Sequence, residues 1–282
     1  MIYFKIKDNF GNWLFRYAAA LSTGLPVRGY LCDPSKRKSL EYFGAFFKGL
    51  EIVEQLPDGV RTFSQPGFAY TPFPDEIRNG DWLLDGHFQS ARYFDEALVR
   101  KTFVPPPEVV EKLTGRYGDW LSRPNVTGVS VRRGDYLKYP EYHPFVGERF
   151  FRRAFRQLPE TRDFIVCSDD IPWCRDFFPR AFPDRNFLIA DGDPWHDLIL
   201  PSLCRHNVIS NSSFSWWGAW LNPHPGRRIL APSRWFGFGY RKLSTQDLLP
   251  PEFEIIPCRQ DAMPFLHGIC RLVAKKTGLL KR

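Results

Sequence analysis

Polar side chains suited to an anion site stand at the ends of three β-prone runs. Val126-Thr-Gly-Val-Ser-Val131 runs into Arg132, Arg133, Gly134 and Asp135; Asp163-Phe-Ile-Val-Cys167 runs into Ser168, Asp169 and Asp170; Asn207-Val-Ile209 runs into Ser210, Asn211, Ser212, Ser213 and Phe214. A guanidinium presents a planar fork that matches phosphate oxygens. Serine hydroxyls at a strand-to-helix turn can join the orphan amides of the helix to wrap a phosphate. Carboxylates at a strand end accept hydrogen bonds, for example from a base N–H. Phe214 could sit against a base or ribose. In open parallel sheets ligands bind outside the carboxyl ends of the strands, where all three groups fall. The combination describes one nucleotide site, cationic at the diphosphate and acidic toward the base. A plainer reading competes with it: solvated or ion-paired arginines after an ordinary strand, and a Ser cap before a helix whose Trp216, Trp217 and Trp220 fill the core.

The opening of the chain carries two further strand ends. A short strand, Ile2 to Ile6, is followed by Asn9-Phe-Gly-Asn12 and an apolar helix from Trp13 to Ser22. Gly11 there could let a ligand approach closely, and Asn12 could both cap the helix and donate to that ligand. Asp85-Gly-His-Phe-Gln-Ser90 presents His87 and Gln89 at the end of another strand, either toward a ligand or as polar groups satisfied within the fold. The chain has neither the Gly-rich Lys-Ser/Thr loop of a P-loop nucleotidase nor a Gly-x-Gly-x-x-Gly after a strand. Asp191-Gly-Asp193 could be a metal-binding acidic pair, but two arginines and a helix N-terminus could neutralise a diphosphate without an ion.

The elements that must position these groups alternate strand and helix. In the first half, β-prone pieces are expected at 27–31, 50–53, 67–70 and 82–84, with helices near 40–47, 91–101 and 108–121. In the second half the strands at 126–131, 163–168, 186–190, 207–210 and 227–231 alternate with helices at 148–158, after Pro172, and at 194–206. That rhythm indicates a doubly wound parallel sheet. A division just before Val126 is expected, giving an α/β domain of residues 1–123 and a second of residues 124–282. The second ends in a basic, partly amphipathic tail from Phe265 to Arg282, expected to pack as a terminal helix or to lie on an anionic membrane surface.

With 282 residues the chain can bury a core without staples, and its 25 Pro, 21 Gly and 26 Phe speak against a helical bundle. The net charge of +8 suits an anionic partner, but the basic residues are scattered and no nucleic-acid-binding pattern is present. Six widely spaced cysteines read as thiols of a reducing compartment, and no leader or run of about 18 apolar residues is visible, so a cytoplasmic location is expected.

Five motifs, in order, resemble those of the inverting, GDP-fucose-dependent α-1,2-fucosyltransferases, glycosyltransferase family 11, in their bacterial form. They are Asn9 to Ala18, Gly86 to Phe94, Gly128 to Tyr136, Phe164 to Asp170 and Ser202 to Leu221. The resemblance implies a GT-B-like α/β fold, two Rossmann-like domains facing across a cleft, with the acceptor mainly against the first and GDP-fucose mainly against the second. It implies transfer of L-fucose to a galactose 2-hydroxyl of an oligosaccharide or lipid-linked glycan with inversion, without a metal or other cofactor. Arg132 would grip the diphosphate and Arg133 support it. Asp169 or its neighbour would read guanine, Ser168 would line the same nucleotide site, and Ser212, Ser213 and Phe214 would contact phosphate and nucleoside. Gly11 and Asn12 would face them, with His87 and Gln89 on the acceptor side. Asp135 and Glu141 are the candidate general bases. The chain departs from the family in having Ser130 where a His commonly precedes the arginines, and Trp13 and Arg16 where glutamines are usual; acceptor specificity is where these departures should be felt. The alternatives are another inverting GDP- or UDP-sugar transferase, or a non-enzymatic carbohydrate- or nucleotide-binding protein. The setting implied is bacterial surface-polysaccharide or O-antigen synthesis.

Overall fold

The computed structural model describes residues 1–258 and, beyond them, positions 266, 269, 270 and 273. The basic tail expected at 265–282 therefore lies almost wholly outside the described residues. The chain forms two compact units, one from residues 1–106 with 243–250 and the other from residues 107–242 with the chain from 251 on.

The first unit contains β1 (Ile2–Lys5), α1 (Phe10–Leu21), β2 (Val27–Tyr30), α2 (Arg37–Tyr42), β3 (Glu51–Val53), β4 (Arg61–Ser64), β5 (Trp82–Asp85) and α3 (Glu96–Thr102). Its sheet has the order β3-β2-β1-β5-β4 with every pair parallel. β1 is central, so Ile2, Tyr3 and Phe4 are buried, as parallel strands covered on both faces require. Two expectations shift here. Residues 67–70 make no strand: the Tyr70 amide donates to the Asp247 carboxylate at 3.0 Å, and the strand lies at 61–64 instead. The helix expected at 91–101 is split, because Ser90 caps a 3-10 turn at 91–93 and Asp95 then caps α3 by accepting from the Leu98 amide.

The second unit contains α4 (Pro107–Leu121), β6 (Thr127–Val131), α5 (Glu148–Gln157), β7 (Asp163–Ser168), α6 (Ile171–Ala181), β8 (Asn186–Ile189), α7 (Pro194–Ile199), β9 (His206–Ile209), α8 (Ser213–Trp220), β10 (Ile229–Pro232) and β11 (Phe253–Ile256). The strand order is β11-β10-β9-β6-β7-β8, again all parallel. The division expected at residue 123 falls instead between 106 and 107, because α4 packs on α7 of the second unit. The long helix expected over 194–206 stops at Ile199; a 3-10 turn containing Pro201 carries the chain into β9. β11 went unforeseen.

All five residues of β6 are buried, and its neighbours are fixed closely. Phe151, Phe155, Phe164 and Phe178 pack into one aromatic core beneath the sheet, while Trp216, Trp217 and Trp220 on α8 are fully buried on its other flank. Gly128 is required where β6 passes the Pro201 turn: a Cβ there would lie 2.9 Å from the Pro201 Cα. Gly128→Ala should therefore lower unfolding free energy by about 1–3 kcal/mol, the usual cost of overpacking. Urea denaturation checks this, and an unchanged midpoint would mean the turn yields freely.

Candidate functional site

In the second unit, connections run one way through β6, β7 and β8 and the other way through β9, β10 and β11. β6 and β9 are adjacent in the sheet, so the reversal falls between them. That is the switch point at which doubly wound sheets bind ligands. Arg132 follows β6 and the serine turn follows β9, so the two strongest sequence features meet there.

Ser210 joins them. Its hydroxyl donates to the Ser130 carbonyl at 2.7 Å and accepts from the Arg132 amide at 2.9 Å, while its own amide also donates to the Ser130 carbonyl at 3.0 Å. The Arg132 guanidinium donates to Asp135 Oδ2 at 2.9 Å and lies 3.2 Å from Asp169 Oδ2. Burial alone would lower the pKa of Arg132, but the Asp135 hydrogen bond and the two carboxylate charges outweigh it and hold the cation firmly. Asp169 accepts from the Arg133 amide at 2.8 Å with its other oxygen, and Arg133 pairs with Asp170, the cap of α6. The Ser168 hydroxyl accepts from the Asp170 amide at 2.9 Å. Both acidic residues are thus engaged in fixing the arginine turn.

Tyr136 locks this turn to the serine turn. It is buried, its hydroxyl donates to the Asn211 carbonyl at 2.8 Å, and it also bonds the Ser212 side chain. Burial pushes its pKa well above the ordinary tyrosine value. His143 stacks on the Tyr136 ring with centroids 4.8 Å apart, and burial lowers its pKa, favouring neutral imidazole. Ser212 is the N-cap of α8 but gives that helix no side-chain cap bond, and Ser213 and Phe214, both half-buried, form its first turn. The first amides of a helix have no acceptor within it, and its dipole favours an anion. Ser130 is buried, and its hydroxyl has no hydrogen-bond partner among the described residues; the same holds for Asp135 Oδ1. Glu141 is only 2% exposed, its carbonyl accepting from the Gly239 amide at 2.6 Å. Asp191 pairs with Arg175 at 3.1 Å and Asp193 caps α7, so each half of the Asp-Gly-Asp pair has a structural partner.

The first unit has its own reversal, between β1 and β5. Asn12 and Gln89 meet there, Gln89 Nε2 donating to Asn12 Oδ1 at 2.7 Å. Asn12 does not cap α1: the helix begins at Phe10 with Asn9 as its cap, which puts Gly11 and Asn12 inside the first turn. His87 has an open edge, yet the protein around it withdraws water and, with Arg16, pushes its pKa down to about 4. The two departures from the family pattern turn inward. Trp13 donates to the Lys7 carbonyl at 2.6 Å, and buried Arg16 binds the Gly86 carbonyl at 2.8 Å, the Lys7 carbonyl at 3.0 Å and Asp8 Oδ2 at 2.7 Å. They brace the ends of β1 and β5, and Asp8 and Phe88 beside them hold left-handed backbone.

Sequence reasoning passed over Ser210 as a clasp, Tyr136, His143 and Asp197. The first two sit inside the motifs already singled out; Asp197, one turn into α7, gives no signal in the sequence.

Two parallel doubly wound domains, the second with a guanidinium pair and a serine turn at its switch point, make this a GT-B-like protein of two Rossmann-like domains. The chain matches the model of glycosyl transferase family 11 over residues 102–237. It is 28% identical over 189 residues to the O-antigen biosynthesis glycosyltransferase WbnK of Escherichia coli, covering 61% of each chain. With an alpha-1,2-colitosyltransferase of Escherichia coli it shares 33% over 159 residues, 54% of this chain and 55% of that one. The match thus spans about three-fifths of the length of these curated relatives. The fold resembles that of NodZ alpha-1,6-fucosyltransferase, in a crystal soaked with GDP-fucose, at a TM-score of 0.52 and 17% identity, covering 81% of this chain and 93% of NodZ.

Asp197 provides a pH test of the electrostatics around the site. Burial, and then the charges of Asp169 and Asp193, raise its pKa to about 7. Below about pH 4 the carboxyl is protonated whether the chain is folded or not. Between pH 4 and 7 the unfolded chain ionises and the folded one does not, so folding weakens as pH rises, and the penalty is complete above 7. Asp197→Asn should match the wild type in stability below pH 4 and exceed it increasingly up to pH 7. A stability difference constant with pH would contradict this.

Proposed function

We propose that the chain is an inverting glycosyltransferase that uses a GDP-sugar donor. The observation that carries the reading is the pairing of Arg132 with the serine turn across the β6–β9 switch point, in a segment that matches family 11. The donor's diphosphate lies between the Arg132 guanidinium and the N-terminus of α8. Arg133 keeps the turn in place through Asp169 and Asp170, and Ser168 lies at the guanine side with Phe214 near the nucleoside. As the bond from the anomeric carbon to the β-phosphate oxygen breaks, charge grows on the leaving diphosphate. Arg132, the Ser212 and Ser213 hydroxyls and the first amides of α8 stabilise it, and one well-aimed donor of this kind contributes roughly 3 kcal/mol.

The attacking hydroxyl of the acceptor gives its proton to a carboxylate as the new glycosidic bond forms on the opposite face of the sugar. Asp135 is favoured over Glu141, because it is only partly buried and its Oδ2 touches the Arg132 guanidinium, whereas Glu141 is 2% exposed. A diphosphate that draws Arg132 toward itself weakens that ion pair and frees Asp135 Oδ2. His87 and Gln89 contribute to recognition on the acceptor side.

The finer reading is transfer of L-fucose to the 2-hydroxyl of a galactose. The motif pattern supports it, and the similarity to an alpha-1,2-colitosyltransferase supports the 1,2 linkage while leaving the donor sugar to experiment. No described helix is long and apolar enough to cross a membrane; the acceptor is a galactose-containing oligosaccharide or lipid-linked glycan.

Donor turnover across GDP-fucose, GDP-colitose, GDP-mannose and UDP-galactose, followed by linkage analysis of the product, tests this directly. GDP-sugars should be used and UDP-galactose ignored, with fucose leading and an inverted 1,2 linkage formed. Arg132→Ala should lower kcat/KM by about a hundredfold or more and weaken GDP binding. Full activity and unchanged GDP affinity in that variant would overturn the assignment of the site.

A further inference from the structure

Two loops at the carboxyl edge of the second sheet carry side chains that the transfer chemistry does not use. One follows β6, the other β10. They are zipped together by the Gly237 amide, which donates to the Tyr142 carbonyl at 2.8 Å, and the Gly239 amide, which donates to the Glu141 carbonyl at 2.6 Å. The zip needs glycine on the second loop. A Cβ at Gly237 would strike the Glu141 carbonyl, and one at Gly239 would lie 2.6 Å from the Tyr142 ring. Tyr240 is then held by rings on three sides: Tyr142 at 4.7 Å, His143 at 5.8 Å and Phe236 at 5.7 Å.

The exposed side chains of the paired loops are apolar and basic. Leu137 is 41% exposed, Tyr139 46%, Phe238 40% and Tyr240 38%, in a protein whose other large side chains are mostly buried. Interleaved with them are Lys138, Arg241 and Lys242, all exposed, and the Arg241 guanidinium lies over the Phe238 ring at 4.5 Å. Neither 136–140 nor 236–242 contains a carboxylate. The flanking acids do not offset the charge on the face, since Asp135 pairs with Arg132 and Glu141 is buried. Exposed apolar side chains gathered in one place mark an interaction surface. Aromatic rings with interspersed lysine and arginine suit the headgroup level of an anionic bilayer, where rings lie at the boundary and bases meet phosphate.

We infer that the paired loops 137–139 and 238–242 form a membrane-contact surface that docks the second unit on anionic lipid. Part of the surface is formed by the turn that follows Arg132 and Asp135. Docking through it brings the candidate site to headgroup level, where a lipid-linked acceptor would present its sugar.

Co-sedimentation of the full chain with phosphatidylcholine vesicles, with and without phosphatidylglycerol, tests the inference. The wild type should pellet with the anionic vesicles and release as salt is raised. Lys138→Glu with Lys242→Glu changes two exposed side chains and should leave the thermal midpoint in place, while partitioning falls by roughly fivefold or more for each lost base. Phe238→Ser with Tyr240→Ser should also weaken binding, and in a manner that salt does not mimic. Failure of the wild type to favour anionic vesicles would overturn the inference, as would pelleting of the charge-reversed variant at the wild-type level. So would an aromatic variant that pellets normally but shows a raised KM for a soluble oligosaccharide, since the rings would then be reading sugar. None of these readouts depends on which donor the chain uses, so the donor assignment stands or falls separately.

Discussion

The hydroxyl of Ser210 closes the seam on which the second unit's site depends. Parallel pairing of β6 with β9 ends at Ser130 and Ile209, just where the chain must leave the sheet on both strands. Two loops released at that point would diverge. Ser210 prevents this by donating to the carbonyl of Ser130, the last β6 residue paired with β9, and accepting from the Arg132 amide that follows the strand. Tyr136 repeats the device one layer further out through its bond to the Asn211 carbonyl. The arginine turn and the serine turn therefore move as one piece, and an anion bound between them meets donors whose positions are already fixed.

The electrostatics follow the same logic. A guanidinium half-withdrawn from water is tolerable only beside carboxylates, and Arg132 has two. Both can give way to a more highly charged partner, because neither relies on Arg132 alone for its position: Asp169 is also bonded to the Arg133 amide and Asp135 is fixed within a hydrogen-bonded turn. The first unit uses its switch point differently. There the central cation, Arg16, is buried and committed to backbone carbonyls, while the small polar groups Asn12 and Gln89 face one another.

Much of this could be read from sequence because the carrying residues were consecutive. A β-prone run followed by Arg-Arg-Gly-Asp, or by four hydroxyl and amide side chains, reports both a strand and its end, and the alternation of such runs with apolar helices fixed the doubly wound class. Contacts between distant residues stayed hidden. Ser210 reads as one serine among several until its partner at Ser130 is known, and Asp197 becomes unusual only through burial beside Asp169. Local propensity also misled where a tertiary bond outweighed it. Residues 67–70 look like a strand, yet Asp247 takes the Tyr70 amide, and the helix after Pro194 ends where Pro201 turns the chain. The boundary slipped from 123 to 106 because the packing of α4 on α7 leaves no trace in its own sequence.

A crystal structure of the protein with GDP bound would test the central claim most directly. The expected result is a diphosphate between the Arg132 guanidinium and the first turn of α8, with the Arg132–Asp135 distance longer than its present 2.9 Å. GDP bound away from the β6–β9 switch point, with Arg132 still paired to Asp135, would contradict it.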